Sequence, residues 1–165
     1  MGKIEYKDIL IEPMCERHVD DIAELEKLCF SMPWSRKSIL YEVGCEYAHF
    51  YVAVVDGKVV GYAGMHIYVD EGIIANVCTH PDYTGNGIGQ RLVSVLSDLG
   101  RKKALAFLTL EVRVSNECAK HIYRKYGFET QSVRKNYYKN PTEDAEIMFL
   151  SKASMLPCSE TYRER

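Results

Sequence analysis

Ala75-Asn76-Val77-Cys78-Thr79-His80-Pro81-Asp82-Tyr83-Thr84-Gly85-Asn86-Gly87-Ile88-Gly89-Gln90-Arg91-Leu92 reads as a buried strand that turns sharply into a helix. Ile73 to Cys78 is mostly apolar, Pro81 stops the strand, and Gly85, Gly87 and Gly89 fill the turn. Ile88, Leu92, Val95, Leu96 and Leu99 then recur at steps of three and four, which predicts a helix to about Lys103 with one face on a sheet. Glycines at a helix start let backbone approach a ligand closely, and the free N–H groups there attract phosphate. The third glycine of a dinucleotide fingerprint is missing, and so is the Lys-Ser or Lys-Thr of a Walker loop. Taken alone, the glycines are equally a plain turn that needs positive φ.

The flanks give the turn a setting. Phe50 to Val55, Asp56-Gly57, and Lys58 onward form a strong hairpin signal, with the second arm running to Tyr68. Asp70-Glu71-Gly72 turns the chain into the organising strand. Upstream, Ile9 to Glu12 reads as a strand and His18 to Cys29 as an amphipathic helix with Val19, Ile22, Leu25 and Leu28 inward. Cys29 to Ser35 breaks that helix. Ser35 is an N-cap and Gly44 a stop for a second, shorter one. Pro33 and Trp34 either staple the two helices together or wall a groove. Downstream, Leu105 to Val112 is apolar enough for a strand buried on both faces. Ser115 and Asn116 are candidate caps for a helix to Tyr126, with Ala119, Ile122, Tyr123 and Tyr126 on one side. Two more strands follow, to about Tyr138 and from Ala145 to Leu150, joined by the polar segment 139–144. Residues 153–165 read as a polar, frayed tail to a single domain of residues 1–152.

Composition narrows the function classes. With 165 residues and 47% hydrophobic content the chain suits one domain with a full core, and a net charge of −2 makes no global case for nucleic acid or an acidic membrane. No apolar run approaches membrane length, and Met1 to Glu5 leads into no secretory stretch. Six cysteines show neither a C-x-x-C pair nor zinc spacing, so they are expected to be reduced core residues of a cytoplasmic protein without a metal.

The strand, the His80-Pro81-Asp82-Tyr83 corner and the glycine turn together resemble the coenzyme A site of the GNAT superfamily of N-acetyltransferases. In that family Gln or Arg usually opens the turn; here Thr84 stands in its place, while Gly87 and Gly89 are kept. The element order, β-α-α-β-β-β-α-β-α-β-β, is similar to the GNAT fold from end to end. The resemblance implies a single-domain α/β fold with a mixed, mostly antiparallel sheet of about seven strands and about four helices. It also implies that strands four and five splay apart to admit the pantetheine arm of acetyl-CoA. Val77, Cys78, Thr79, the turn residues Gly85, Asn86, Gly87, Ile88, Gly89 and Gln90, and Asn116 would contact that donor. Asn116 would combine this with capping its helix.

Two side chains carry the chemistry that amine acetylation needs. Glu111 closes the Leu105–Val112 run, where a carboxylate is costly unless it is paired or working. It is either the partner of Arg113 or a general base. Tyr123 is either core or an acid for the leaving thiolate. Four segments sharpen the likeness to the bacterial ribosomal-protein-alanine N-acetyltransferases: Pro33-Trp34-Ser35; Leu110-Glu111-Val112-Arg113 with Ser115-Asn116; Ile122-Tyr123 with Tyr126-Gly127-Phe128; and Arg134 to Tyr138 with Glu143-Asp144-Ala145. That resemblance implies Glu111 as base and Tyr123 as acid. It puts Pro33, Trp34, Tyr137 and Tyr138 beside the acceptor, the N-terminal alanine of a small-subunit ribosomal protein. A monomer needing neither membrane nor nucleic acid is expected. Transfer to lysine side chains or small amines, and a non-catalytic coenzyme A-binding module, are the competing readings.

Overall fold

Asp56 and Gly57 both take positive φ, 50° and 78°, which is the geometry of a two-residue hairpin turn that matches strand twist. They join β2 (Ala48–Val55) to β3 (Lys58–Tyr68) with Val55 opposite Lys58. The computed structural model describes residues 4–158. Around this hairpin stand β1 (Leu10–Pro13), β4 (Glu71–Thr79), β5 (Phe107–Arg113), β6 (Glu129–Tyr138) and β7 (Glu143–Ser151). Among the described residues they make one seven-stranded sheet in the order β1-β2-β3-β4-β5-β7-β6. Every neighbouring pair is antiparallel except β4 and β5.

Helices cover both faces, which is why β2 is apolar along its length rather than alternating. Phe50, Val52 and Val54 face α1 (Val19–Cys29) and α2 (Arg36–Gly44). Tyr51, Ala53 and Val55 face α3 (Ile88–Lys102). Ser35 caps α2 as the sequence predicts, its hydroxyl accepting from the Ser38 amide at 3.1 Å. The α3 stripe of Ile88, Leu92, Val95, Leu96 and Leu99 is buried as predicted. Truncating a fully buried leucine of this kind to alanine costs about 2–5 kcal/mol. Gly61 lets α3 in: a β-carbon there would lie 2.9 Å from both the Cys78 carbonyl and the Ile88 side chain. The start of α3 therefore rests directly on the middle of the sheet.

Four details differ from the sequence reading. Leu28, expected inward, is 56% exposed, while Glu26 is 1% exposed on the face that Leu28 was to occupy. The inward stripe steps from Ile22 to Glu26 rather than from Leu25 to Leu28, because Glu26 finds hydrogen-bond donors inside. Of the cysteines only Cys78 is buried and Cys118 is exposed; all are free. The cap of α4 (Glu117–Lys125) is Asn116 alone, accepting from the Ala119 amide at 3.2 Å. The chain after residue 152 does not leave the body at once, since Met155 is 5% exposed and packs against Gly100. The rest of the expected tail, 159–165, lies outside the described residues. No helix among them is long and apolar enough to cross a membrane.

Candidate active site

β4 and β5 stay paired for only three residues: Glu71 with Phe107, Gly72 with Leu108, and Ile73 with Thr109. β4 then bulges at Ala75, because Met65 pairs with Ile74 while Gly64 pairs with Asn76. A bulge adds a residue to one strand and bends it. From there Ile74–Val77 and Leu110–Arg113 face each other across a gap instead of a hydrogen-bond ladder. β3 and β7 still hold their outer edges.

Two cavities open from the gap. The first, about 510 Å³, lies between the two strands, the Cys29–Met32 segment and Tyr137–Lys139. The second, about 440 Å³, runs from Val77–Thr79 along the glycine turn and the first turns of α3 and α4. Val77, Asn116, Ala119 and Tyr123 line both, so the two volumes meet there. Each is within the size range of ordinary ligand sites.

The second cavity is lined by a helix start, where free backbone amides attract phosphate. Gly87 is the N-cap of α3 in the left-handed region, φ 77° and ψ 10°. The first i→i−4 bond of the helix runs from the Arg91 amide to the Gly87 carbonyl at 3.0 Å. The amides of Ile88, Gly89 and Gln90 are thus the orphan donors of a helix start. Thr84 turns its hydroxyl onto the Pro81 carbonyl at 3.0 Å, which leaves the turn's backbone rather than a long side chain to meet a ligand. Asn86 is not on the cavity wall; its side chain bonds the Tyr83 and Thr84 carbonyls at 3.0 and 3.4 Å and braces the turn. Gln90 accepts from Lys125 at 2.8 Å. Asn116 spends its oxygen on the helix cap, and its Nδ2 donors are uncommitted among the described residues.

The first cavity holds Glu111, Arg113, Tyr137 and Tyr138. Glu111 lies on its wall with a quarter of its side chain exposed. Its ion partner is Arg134, at 3.7 Å and itself mostly exposed, so the pair is weak. The alternative pairing with Arg113 does not occur. Arg113 is taken by Glu143 at 3.2 Å and by the carbonyls of Lys139 and Pro141, both at 3.0 Å. Its guanidinium also covers the Tyr138 ring at 4.5 Å. Glu143 in turn accepts from the Ser115 amide at 2.8 Å. This clamp presents Tyr137 and Tyr138 to the cavity mouth.

Tyr123 is 6% exposed, packs on Phe128, and makes no hydrogen bond through its hydroxyl among the described residues. Burial, and then Tyr138 and Cys78, push its phenol up, so it is a protonated donor at neutral pH. Burial first, then Tyr137 and Glu111, push the Tyr138 phenol up to about 12.

Pro33 and Trp34 are not on the wall of either cavity. Trp34 packs on Phe50, ring centres 6.1 Å apart, and its amide donates to Glu26 at 2.9 Å. Trp34 is thus tied to α1 and β2, and the wall of the first cavity falls to the residues just before the pair. Sequence reasoning passed over Cys29–Met32, Asn76 and the Arg113–Glu143 clamp. For Glu26 a signal was present: a carboxylate four residues after Ile22 on an apolar stripe. Among the described residues no group of three or more His, Cys, Asp or Glu is arranged to hold a metal ion.

Comparison with known proteins fits this geometry. Residues 19–128 match the Acetyltransferase (GNAT) family. A relative from Bacillus subtilis (strain 168), provisionally named a [ribosomal protein bS18]-alanine N-acetyltransferase, is 37% identical over 134 residues, covering 81% of this chain and 89% of the relative. The [ribosomal protein bS18]-alanine N-acetyltransferase of Escherichia coli (strain K12) is 35% identical over 128 residues, 76% of this chain and 86% of its own. The crystal structure of the Escherichia coli ribosomal-protein-S18-alanine N-acetyltransferase superposes with a TM-score of 0.81 at 29% identity, over 94% of this chain and 99% of that one.

Gly87→Val tests the glycine turn directly. A β-branched residue is strained at φ 77°, so the turn must reshape and withdraw its amides. The dissociation constant for acetyl-CoA, read by calorimetric titration of the folded variant, should rise at least about tenfold, roughly 1.4 kcal/mol. Unchanged affinity would make the turn purely structural.

Proposed function

Because the chain belongs to the acetyltransferase (GNAT) family, we propose that it moves the acetyl group of acetyl-CoA onto the N-terminal α-amino group of a protein. The acceptor we infer is the N-terminal alanine of ribosomal protein bS18, for which its Escherichia coli relatives are named. One observation supports the reading above the others: the two cavities meet at Val77, Asn116, Ala119 and Tyr123, so a donor in one reaches an acceptor in the other. The same reading makes the protein a cytoplasmic monomer that needs no metal, membrane or nucleic acid.

The donor brings an activated thioester; the residues do the rest. The amides of Ile88, Gly89 and Gln90 bind its pyrophosphate, with Gly85 and Gly87 keeping the approach open. Backbone groups of Val77, Cys78 and Thr79 hold the pantetheine arm and polarise the thioester carbonyl. Asn116 adds its free Nδ2. Tyr137 and Tyr138 flank the acceptor, while Pro33 and Trp34 support the Cys29–Met32 wall from behind. Glu111 takes the proton from the acceptor. An α-amino group has an ordinary pKa of about 7.7–8, so a carboxylate relaying to water is a sufficient base near neutral pH. Tyr123 gives its proton to the departing thiolate.

The deciding experiment offers the enzyme acetyl-CoA with three peptides. One begins with alanine, one is the same peptide blocked at its N-terminus, and one is blocked but contains lysine. Thiol release is expected with the first alone. Equal release with the blocked lysine peptide would move the activity to side chains, and none with any would leave only a binding module.

Glu111→Gln keeps shape but removes the proton acceptor, so kcat should fall about 100-fold and the acidic limb of kcat/KM should move. An unmoved limb would assign the base elsewhere.

Tyr123→Phe should lose rate while acetyl-CoA affinity and melting temperature stay near wild type. The loss should shrink for an acyl donor whose thiol has a lower pKa, since that leaving group needs less protonation. Full activity in the variant would return Tyr123 to the core.

A further inference from the structure

Behind the acceptor cavity lies a carboxylate that no step above uses. Glu26 sits on the inner face of α1 and is closed off from solvent. Its Oε1 accepts from the Tyr62 hydroxyl and from Asn76 Nδ2 at 2.7 Å, and its Oε2 accepts from the Trp34 amide at 2.9 Å. Asn76 Nδ2 also stands 2.6 Å from the Tyr62 oxygen. The proton inventory then has one solution. A carboxylate only accepts, so the single Tyr62 proton goes to Glu26, and the Tyr62 oxygen is an acceptor towards Asn76. Nδ2 is therefore turned inward, donating to Glu26 and Tyr62. Flipping the carboxamide would set its oxygen against a carboxylate and forfeit both bonds.

What remains of Asn76 is Oδ1, an acceptor with no hydrogen-bond donor among the described residues, and Asn76 lines the acceptor cavity. Glu111 lines the same cavity from β5. This matters for the nitrogen that attacks. When a primary amine forms its N–C bond and the C–S bond breaks, the thiolate takes the Tyr123 proton. The new nitrogen centre carries two hydrogens. One leaves to Glu111, and the other stays in the amide product.

Resting on the acetyl-transfer reading above, we propose that Asn76 Oδ1 accepts the N–H that the nitrogen keeps. Asn76 is then the specificity-determining residue that selects primary over secondary amines, with Glu26 and Tyr62 as the positioning residues that aim it. A secondary amine has one hydrogen after attack, which Glu111 takes, and it turns a carbon towards Oδ1 instead.

The test compares peptides beginning with alanine and with N-methylalanine. Wild type should prefer alanine at least about 100-fold in kcat/KM, and Asn76→Ala should compress that preference to about tenfold or less, mainly by losing rate on alanine. Tyr62→Phe removes one of the two Nδ2 acceptors and should compress it by a smaller factor, with acetyl-CoA affinity within about twofold of wild type in both variants. Should Asn76→Ala fail to fold, Asn76→Thr, whose hydroxyl can donate to Glu26, is read in its place. A second measurement needs no turnover. The product N–H is the one held, so with coenzyme A bound the N-acetyl-alanine peptide should bind about tenfold tighter than its N-methyl analogue, and equally in Asn76→Ala. An unaltered preference in folded variants, or equal binding of the two products to wild type, overturns the proposal. Failure of wild type to acetylate any alanine peptide would instead overturn the acetyl-transfer reading, and the binding measurement would still judge Asn76.

Discussion

A parallel pair of strands that separates after three residues leaves two rows of backbone N–H and C=O groups facing each other across a cavity. Buried backbone groups must be bonded to something, and here the neighbouring strands are turned the wrong way to help. β3 and β7 hold the outer edges of β4 and β5, so the inner edges from Ile74 and Leu110 onward face the cavity. The rest of the site follows from that gap. The bulge at Ala75 starts it, the rigid outer ladders keep it open, and α3 and α4 bring an N-terminus and Tyr123 to its lip. A chain in which β4 and β5 zipped to their ends would have the same helices and no site.

The local parts of this arrangement were legible because they are set by neighbours in sequence. Asp56-Gly57, the Ser35 cap, the α3 stripe and the Gly87 turn each need only a few adjacent residues to declare themselves. The separation of β4 from β5 depends on pairing between residues about 35 positions apart, a separation over which periodicity carries no information. It was available only through resemblance to a family. Glu111 shows the same limit. Its two-residue spacing from Arg113 put both side chains on one face correctly, yet Arg113 turned to the β6–β7 connection, which no local rule brings near. Leu28 and Glu26 changed places for a related reason: hydrophobicity favours Leu28 inward, but three donors from β3, β4 and the α1–α2 connection meet at Glu26.

That exchange has a physical logic. A buried carboxylate is tolerable only when its oxygens are fully bonded, and removing one partner of such a group costs far more than the group contributes. Glu26 therefore ties α1, Tyr62, Asn76 and Trp34 into one arrangement with few alternatives. The wall of the first cavity inherits its shape from this point, since Cys29–Met32 is slung between Glu26 and the Trp34 amide that Glu26 holds. An apolar residue at 26 would serve burial equally well and leave that wall without an anchor.

The opposite wall is held by charge, and its pH range can be worked out. Hydrogen bonds from Ser115, and then the Arg113 charge, keep Glu143 below the usual carboxylate range. A carboxylate depressed in the folded state contributes its stability above the unfolded value, about 4.3, and loses it as pH falls through the lowered one. The clamp on Tyr137 and Tyr138 is thus intact throughout the neutral range and opens only in acid. Tyr138, pushed up to about 12, and Tyr123, raised by burial, both keep their protons over the same range. Neither the mouth of the cavity nor Tyr123 thus changes state near neutrality. The acceptor does: its α-amino group changes charge at about 7.7–8. A rise in rate through that range that survives Glu111→Gln reports the acceptor losing its proton, with Glu143, Tyr123 and Tyr138 unchanged.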